Sequence, residues 1–359
     1  MASDWRVVPE PLARHACNTC GVIRRWPGAA AHDALYAAGY GLYAHAPGDA
    51  RERTRQDQYA AWVASVIPQV PAQVLDVGCG NGSLLIALAA YWPAANLIGC
   101  DPSAESVAHG ARAGLRLWKG TAADLPADAV SDVVVSVNVI EHTADPVAFL
   151  EALRGTVTPD GRLVLVCPDG GRPGLELLFA DHVFSFAAPH LHTLCVRAGF
   201  DVLSTDRAPA ALGDFQMTVA RRSRGAGLHE ARHEPAFAAV DGRSRYLAAW
   251  RALDQRLLER IPDRVVCFGA GEAAGLLRAY APRTWERVRA CAIDGSPAGG
   301  FGELPLIPLD EIGEHETVLV GVRPLDQPRV AERLRSRFPN VATWYDLLEY
   351  DSHEGDDGA

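Results

Sequence analysis

Short apolar runs alternate with longer stretches of helical periodicity from residue 61 to about 222. That alternation predicts a parallel sheet with crossover helices. The strand candidates are Gln73–Val77, Asn96–Cys100, Val133–Val137, Arg162–Cys167, Asp201–Thr205 and Phe215–Ala220, with a turn signal at Pro159, Asp160 and Gly161. Tyr246, Trp250, Leu253, Leu257 and Leu258 then recur at helical spacing, and Pro262 ends that helix. The alternation restarts with strands at Val265–Phe268, Val288–Ile293 and Thr317–Val322. The pattern divides the chain into an N-terminal segment (1–60), a first α/β domain (61–222), a helical linker (223–262), a second, smaller α/β domain (263–350) and an acidic tail (351–359) expected to be disordered. Most of residues 1–60 and 223–245 give no readable pattern.

The chain has 359 residues, enough for two cores, and its 48% hydrophobic and 22% charged residues are those of a globular protein. A net charge of −10 argues against nucleic acid as a partner, because counterion release needs clustered Lys and Arg. The first residues lack an apolar leader and no later run is long enough to span a bilayer, so no membrane is expected and a cytoplasmic location fits. Eight cysteines form no disulfide framework; Cys79, Cys100, Cys167 and Cys267 lie in or beside strand-like runs, as small buried hydrophobes do.

The strongest chemical signal is the run from Val74 to Leu85, in which a strand meets Gly78, Gly80 and Gly82 and then a helix. Glycine permits positive φ and lets the backbone approach a ligand closely. The G-x-G-x-G spacing departs from the G-x-G-x-x-G of dinucleotide sites, where a pyrophosphate sits on the helix N-terminus. Asp76, just before the glycines, is ill placed beside a pyrophosphate but suits an ammonium group. Asp101 closes the next strand, where an acid can accept hydrogen bonds from ribose hydroxyls. Thr121 and Ala122 follow a third strand, and Asn138 ends a fourth.

Together these residues resemble the class I S-adenosylmethionine-dependent methyltransferases, over roughly residues 70–205. The resemblance implies a Rossmann-like sheet, mostly parallel with an antiparallel last strand, and S-adenosylmethionine as cofactor. It implies that Asp76, Gly78, Gly80 and Gly82 form the cofactor loop, that Asp101 holds the ribose, that Thr121 and Ala122 lie by the adenine, and that Asn138 lies near the methionine moiety. Relatives often carry an acid at the position of Thr121, so adenine contact is expected to be weaker here.

Methyl transfer needs alignment, exclusion of water and, for many acceptors, a base. Glu141 and His142 follow the fourth strand directly, as base or substrate clamp, or else as helix-dipole partner and packing residue. His182, in the run Asp181–Phe186, is the leading base candidate, ahead of His190 and His192. An acidic pair around the Glu141–His142 motif can hold a divalent metal in ubiquinone-type O-methyltransferases; Asn138 stands where one of those acids would be, so no metal is expected.

Cys17 and Cys20 look like half of a zinc ribbon, a feature of sugar C-methyltransferases. A structural zinc site needs four ligands. His15, His32 and His45 offer no recognised spacing, so a vestigial ribbon without zinc is expected.

The second block opens with a strand, a G-x-G-x-x-A turn at Gly269 and Gly271, and a helix; its next strand ends at Asp294. It resembles the small Rossmann-like domain of sugar C-methyltransferases. A nucleotide sugar with its pyrophosphate at Gly269 and Gly271 and its ribose near Asp294 is one role for it, and a structural or homodimerising role is the other. Its shortness argues against NAD. The expected activity is methyl transfer to a small-molecule acceptor, preferably a sugar or nucleotide sugar in antibiotic or surface-glycan biosynthesis. The alternatives are O- or N-methylation of a non-sugar natural product, and a cofactor-binding regulatory protein without catalysis.

Overall fold

A computed structural model of the chain describes residues 1–3, 6–8, 12–26, 50–224, 238–295 and 300–348. It contains two compact units. The first comprises Leu12–Leu177 and Asp181–Val240; the second comprises Met1–Pro11, Leu178–Ala180 and Asp241–Ala359.

In chain order the first unit holds β1 (Ala13–Ala16), β2 (Ile23–Trp26), α1 (Ala50–Ser65), β3 (Gln73–Val77), α2 (Ser83–Leu88), β4 (Asn96–Asp101), α3 (Ala104–Arg112) and β5 (Arg116–Lys119). It continues with β6 (Ser131–Val137), α4 (Pro146–Thr156), β7 (Val157–Pro168), β8 (Phe184–Ser185), α5 (Ala188–Arg197), β9 (Phe200–Arg207) and β10 (Phe215–Arg222). Seven strands form one sheet in the order β5-β4-β3-β6-β7-β10-β9. The pairs β3–β4, β4–β5, β3–β6 and β6–β7 are parallel, and β10 runs antiparallel between β7 and β9.

Both faces of this sheet are covered, which is why its central strands read as unbroken apolar runs. Side chains alternate across the pleat. Leu75, Val134, Leu163 and Leu165 pack on one face with Leu150, Leu153 and Leu191. Val74, Val133, Val135, Val164 and Val166 pack on the other with Tyr59, Val63, Leu84 and Leu88. Helix starts are set locally: Ser103 caps α3 by accepting from the Ser106 N–H, and Asp145 caps α4 ahead of Pro146.

The second unit holds α6 (Ala238–Leu258, within it from Asp241 onward), β11 (Val265–Phe268), α7 (Glu272–Tyr280), α8 (Pro282–Trp285), β12 (Val288–Ile293), β13 (Gly300–Phe301), β14 (Leu304–Pro308), β15 (Thr317–Val320), α9 (Gln327–Arg335) and β16 (Asn340–Ala342). Its sheet has the order β13-β14-β12-β11-β15-β16, parallel except for β13.

Several expectations need correction. Within the expected linker 223–262, α6 packs in the second core from Asp241 onward: the Trp250 ring meets the Trp344 ring at 5.4 Å, and the Arg256 guanidinium donates to the Leu347 carbonyl at 2.9 Å; residues 225–237 lie outside the described residues. Residues 12–26 are a β-ribbon of the first unit, and α1 starts before residue 61. Pro159–Gly161 is a register break inside β7, where Ser131 faces Val157 but Val133 faces Arg162. Strands β8, β13 and β16 are too short to leave a periodic signal. The acidic tail lies outside the described residues. Cys79, Cys100, Cys167 and Cys267 are buried free thiols. Among the described residues, no helix is long and apolar enough to cross a membrane.

Candidate active site

The glycine turn leaves the carboxyl end of β3. Gly78, Gly80 and Gly82 have φ of +82°, +55° and +82°. A Cβ at Gly78 would sit 2.3 Å from Val139 Cγ2, and one at Gly82 would sit 2.2 Å from Leu115 Cδ1. Both positions exclude larger residues twice over, by torsion and by packing. The Gly80 N–H donates to Asp101 Oδ2 at 2.9 Å, and Asp101 Oδ1 accepts the Ser103 N–H at 2.8 Å. Asp101 therefore fastens the turn to the end of β4, an internal role in addition to the expected ribose contact. Asn81, which the sequence reading passed over, accepts the Ser83 N–H and Oγ–H through Oδ1, at 3.2 and 2.8 Å.

Asp76 is 2% exposed and lies between Gly99 of β4 and Val135 of β6. Burial, and secondarily the charge of Asp101, push its carboxyl up to about 8. Asn138 is the one non-glycine residue with positive φ among the described residues, at +56°. Its amide donates to the Tyr59 hydroxyl at 3.4 Å, while its Oδ1 is enclosed with no hydrogen-bond partner among the described residues. Asp76 and Asn138 thus bring acceptor groups to the ends of adjacent parallel strands, a set that suits an ammonium group. Thr121 donates its N–H and its hydroxyl to Asp124 Oδ2, both at 2.8 Å. That capping box engages the hydroxyl expected to meet an adenine, and it leaves Ala122 buried.

A second cluster gathers Glu141, His142, Glu176, Asp181 and His182. His142 Nδ1 lies 2.9 Å from the Asp181 carbonyl oxygen; a carbonyl only accepts, so Nδ1 carries the proton. His142 Nε2 is 3.9 Å from Glu141 Oε1. His182 Nδ1 lies 3.6 Å from Glu176 Oε2, a charge contact beyond hydrogen-bond range, and Glu176 Oε1 accepts the Ser185 hydroxyl at 2.6 Å. Burial opposes protonation of His182, but Glu176, Asp181 and Glu141 outweigh it and raise its pKa. Glu141 is 2% exposed, and neither carboxylate oxygen is hydrogen-bonded among the described residues. Burial pushes it up to about 7, against the pull of His182, with Glu176 and Asp181 adding to the rise.

Glu141, His142 and His182 offer ligand atoms within 4.8 Å of one another, a grouping that could also hold a cation. Glu176 and Asp181 were missed by sequence reasoning; the signal for Glu176 was a lone acid in the apolar run Leu175–Phe179. His190 accepts the Ala187 N–H at Nδ1 (3.0 Å) and donates from Nε2 to the Cys20 carbonyl (2.9 Å), which makes it a structural cap. His192 is exposed.

In the second unit, a Cβ at Gly269 would lie 2.5 Å from the Gly321 carbonyl oxygen, so this glycine serves strand packing. Asp294 pairs with Arg333 at 2.9 Å. Gly271 has open space beside it, but Glu272 fills the first turn of α7 with a negative charge, which disfavours a phosphate there. Cys17 and Cys20 sit at the tip of the β1–β2 ribbon, with the Thr19 N–H 3.4 Å from Cys17 Sγ. No third His, Cys, Asp or Glu joins them among the described residues. His32 and His45 lie outside the described residues.

Residues 51–205 match a family described as "Methyltransferase domain". A ubiquinone biosynthesis O-methyltransferase of Cereibacter sphaeroides (strain ATCC 17029 / ATH 2.4.9) is 32% identical over 109 residues, 28% of this chain and 43% of that protein. A malonyl-(acyl-carrier protein) O-methyltransferase of Herminiimonas arsenicoxydans is 37% identical over 129 residues, 35% of this chain and 49% of that protein. The chain thus spans less than half the length of these curated relatives. Among solved structures, the 1,6-didemethyltoxoflavin-N1-methyltransferase of Burkholderia thailandensis, with bound 1,6-didemethyltoxoflavin and S-adenosylhomocysteine, aligns over 58% of this chain and 99% of that one, at 20% identity and a TM-score of 0.44.

Proposed function

We propose, from the premise that residues 51–205 form a class I S-adenosylmethionine-dependent methyltransferase domain, that this protein transfers a methyl group to a small-molecule acceptor, with a sugar or nucleotide sugar as the preferred class. The observation that carries the transfer reading is Asp76: a buried carboxyl pushed up to about 8 and so held neutral, beside three glycines in left-handed conformation. An ammonium group there would restore its charge. Asn138 Oδ1, enclosed and without a partner, would accept from the same group.

S-adenosylmethionine, when bound, supplies a methyl carbon already activated by its sulfonium. The remaining work falls to the chain. Gly78 and Gly80 let the backbone close around the ligand, and Asp101 holds that turn while presenting an acid to ribose hydroxyls. We assign His182 Nε2 to take the acceptor proton, because Nδ1 faces Glu176. Glu176 and Asp181 stabilise the imidazolium that forms, and the buried walls exclude water. His142 positions Asp181 through its backbone carbonyl. Should these groups bind a cation instead, His182 could not act as the base.

The sugar preference rests on the likeness in domain order, which is analogy. Support from the second unit is confined to Gly271, since Gly269 and Asp294 have partners within the protein. Calorimetry with S-adenosylhomocysteine tests the cofactor reading: saturable binding is expected, and neither heat nor thermal shift would overturn it. Incubation of the protein and S-adenosylmethionine with a panel of nucleotide sugars and phenols, read by the mass increase of one methyl group, tests the acceptor class.

A further inference from the structure

The β1–β2–β8 sheet carries an arginine that no acidic side chain among the described residues pairs with. Arg25 lies on the central strand and is 3% exposed. Its Nε and Nη1 are fully enclosed and have no hydrogen-bond partner among the described residues. A guanidinium cannot discharge itself by losing a proton at any ordinary pH. An unpaired buried charge is strongly destabilising in a protein interior. Its cross-strand partner makes matters worse. Arg14 of β1 is paired with Arg25 in the strand register, which places two cationic side chains on the same face. Like charges directly opposite destabilise a strand pair.

The position of this pair relates it to the base. The Arg25 N–H donates to the Val183 carbonyl at 2.8 Å, next in sequence to His182. Arg14 Nη1 donates to the His182 carbonyl itself at 2.5 Å, and its Nε to the Leu177 carbonyl at 3.0 Å. Those bonds hold the His182 backbone to the ribbon, and none of them supplies an acceptor to Arg25 Nε or Nη1.

We infer that Arg25, with Arg14 across the strand from it, binds an oxyanion group of the methyl acceptor, a phosphoryl or carboxylate group presented beside His182. A guanidinium fork matches two oxygens of such a group, and a low-dielectric setting strengthens the pair. The inference rests on the methyltransferase reading only for calling the ligand an acceptor; the anion site stands on the ribbon alone. It also gives the β1–β2 ribbon a function without zinc.

The test titrates the full chain with inorganic pyrophosphate, uridine diphosphate and malonate, in buffer free of other multivalent anions, by calorimetry and thermal shift. S-adenosylhomocysteine is titrated in parallel. Saturable binding of at least one anion is expected. Arg25→Met, which keeps an unbranched apolar stem and removes the charge, should weaken it ten-fold or more, melt no lower than the wild type without anions, and leave S-adenosylhomocysteine affinity within two-fold. Arg25→Lys should retain part of the anion affinity. Preference for the two phosphorylated probes identifies a phosphoryl group, and preference for malonate a carboxylate. The inference is overturned if no probe binds the wild type, or if Arg25→Met binds every probe as the wild type does. Should Arg25→Met not fold, the wild-type titration and the Arg25→Lys comparison decide, with unchanged affinity in Arg25→Lys counting against it. Loss of S-adenosylhomocysteine binding with anion binding intact would instead remove the methyltransferase reading.

Discussion

The imidazoles of His142 and His182 meet edge to face, with centroids 4.8 Å apart and planes at 88°. Two rings this close in a buried site resist carrying two positive charges. His142 keeps one proton on the Asp181 carbonyl, and three carboxylates favour placing the added proton on His182. The pair thus assigns unequal tasks to two residues of the same type.

Replacing His182 with Ala is expected to lower kcat by about 10²–10⁴-fold, the usual contribution of a general base. S-adenosylhomocysteine affinity should stay within two-fold. His142→Ala should cost less, since His142 acts through Asp181. Single-turnover rates and calorimetry on the two variants check this; normal turnover in His182→Ala would make it a packing residue.

A base must be neutral to accept a proton, so kcat/KM should rise with pH through the raised pKa of His182. Glu176→Gln removes the carboxylate beside Nδ1 and must lower that pKa. The rising limb should therefore move to lower pH in the variant, while the maximum rate changes less. A limb that stays in place would assign it to another group, with Glu141 next in line because it titrates near 7.

Metal chelation separates the two chemistries open to Glu141, His142 and His182. Turnover is expected to survive dialysis against EDTA unchanged. Loss of activity that zinc or manganese restores would make His182 a ligand and remove it as the base.

Asp76 binds its proton more tightly in the folded protein than in the unfolded chain, because its carboxyl stands near 8 rather than in the ordinary carboxylate range. Its stabilising contribution is complete below the unfolded pKa and is lost as pH rises toward 8. The cofactor-free protein should therefore melt lower at pH 8 than at pH 6, and Asp76→Asn should reduce that difference. At pH 8 the variant should melt higher by on the order of 5 °C. S-adenosylhomocysteine binding should fall at the same time, which calorimetry reads directly.

Asp101→Ala strips acceptors from the N–H groups of Gly80 and Ser103. S-adenosylhomocysteine affinity should fall by about 1–3 kcal/mol, the cost of leaving a buried partner unpaired, with an added loss of order in the turn. An unaltered dissociation constant would show that Asp101 serves only the turn.

The sequence by itself determined the parallel core, the glycine turn after β3 and the second α/β unit. Strand periodicity and torsion-demanding glycines are local properties, so β3, β6, β11 and Gly78 to Gly82 were legible without a partner in space. Asp76 and Asp101 were legible for the same reason, because each sits a fixed step from a strand end. Tertiary structure alone decided the rest. Glu176 meets His182 only because the segment after β7 folds back to pair β8 with β2, and no spacing in the chain encodes that meeting. The charge on Arg25 became informative only once burial removed its water and the register of β1 and β2 set Arg14 opposite. Helix α6 looked like a connection because its apolar stripe is visible in sequence, whereas the surface it covers, Trp344 and Leu347, lies far along the chain. Chemistry set by torsion can be read along one strand; chemistry set by desolvation depends on what else arrives.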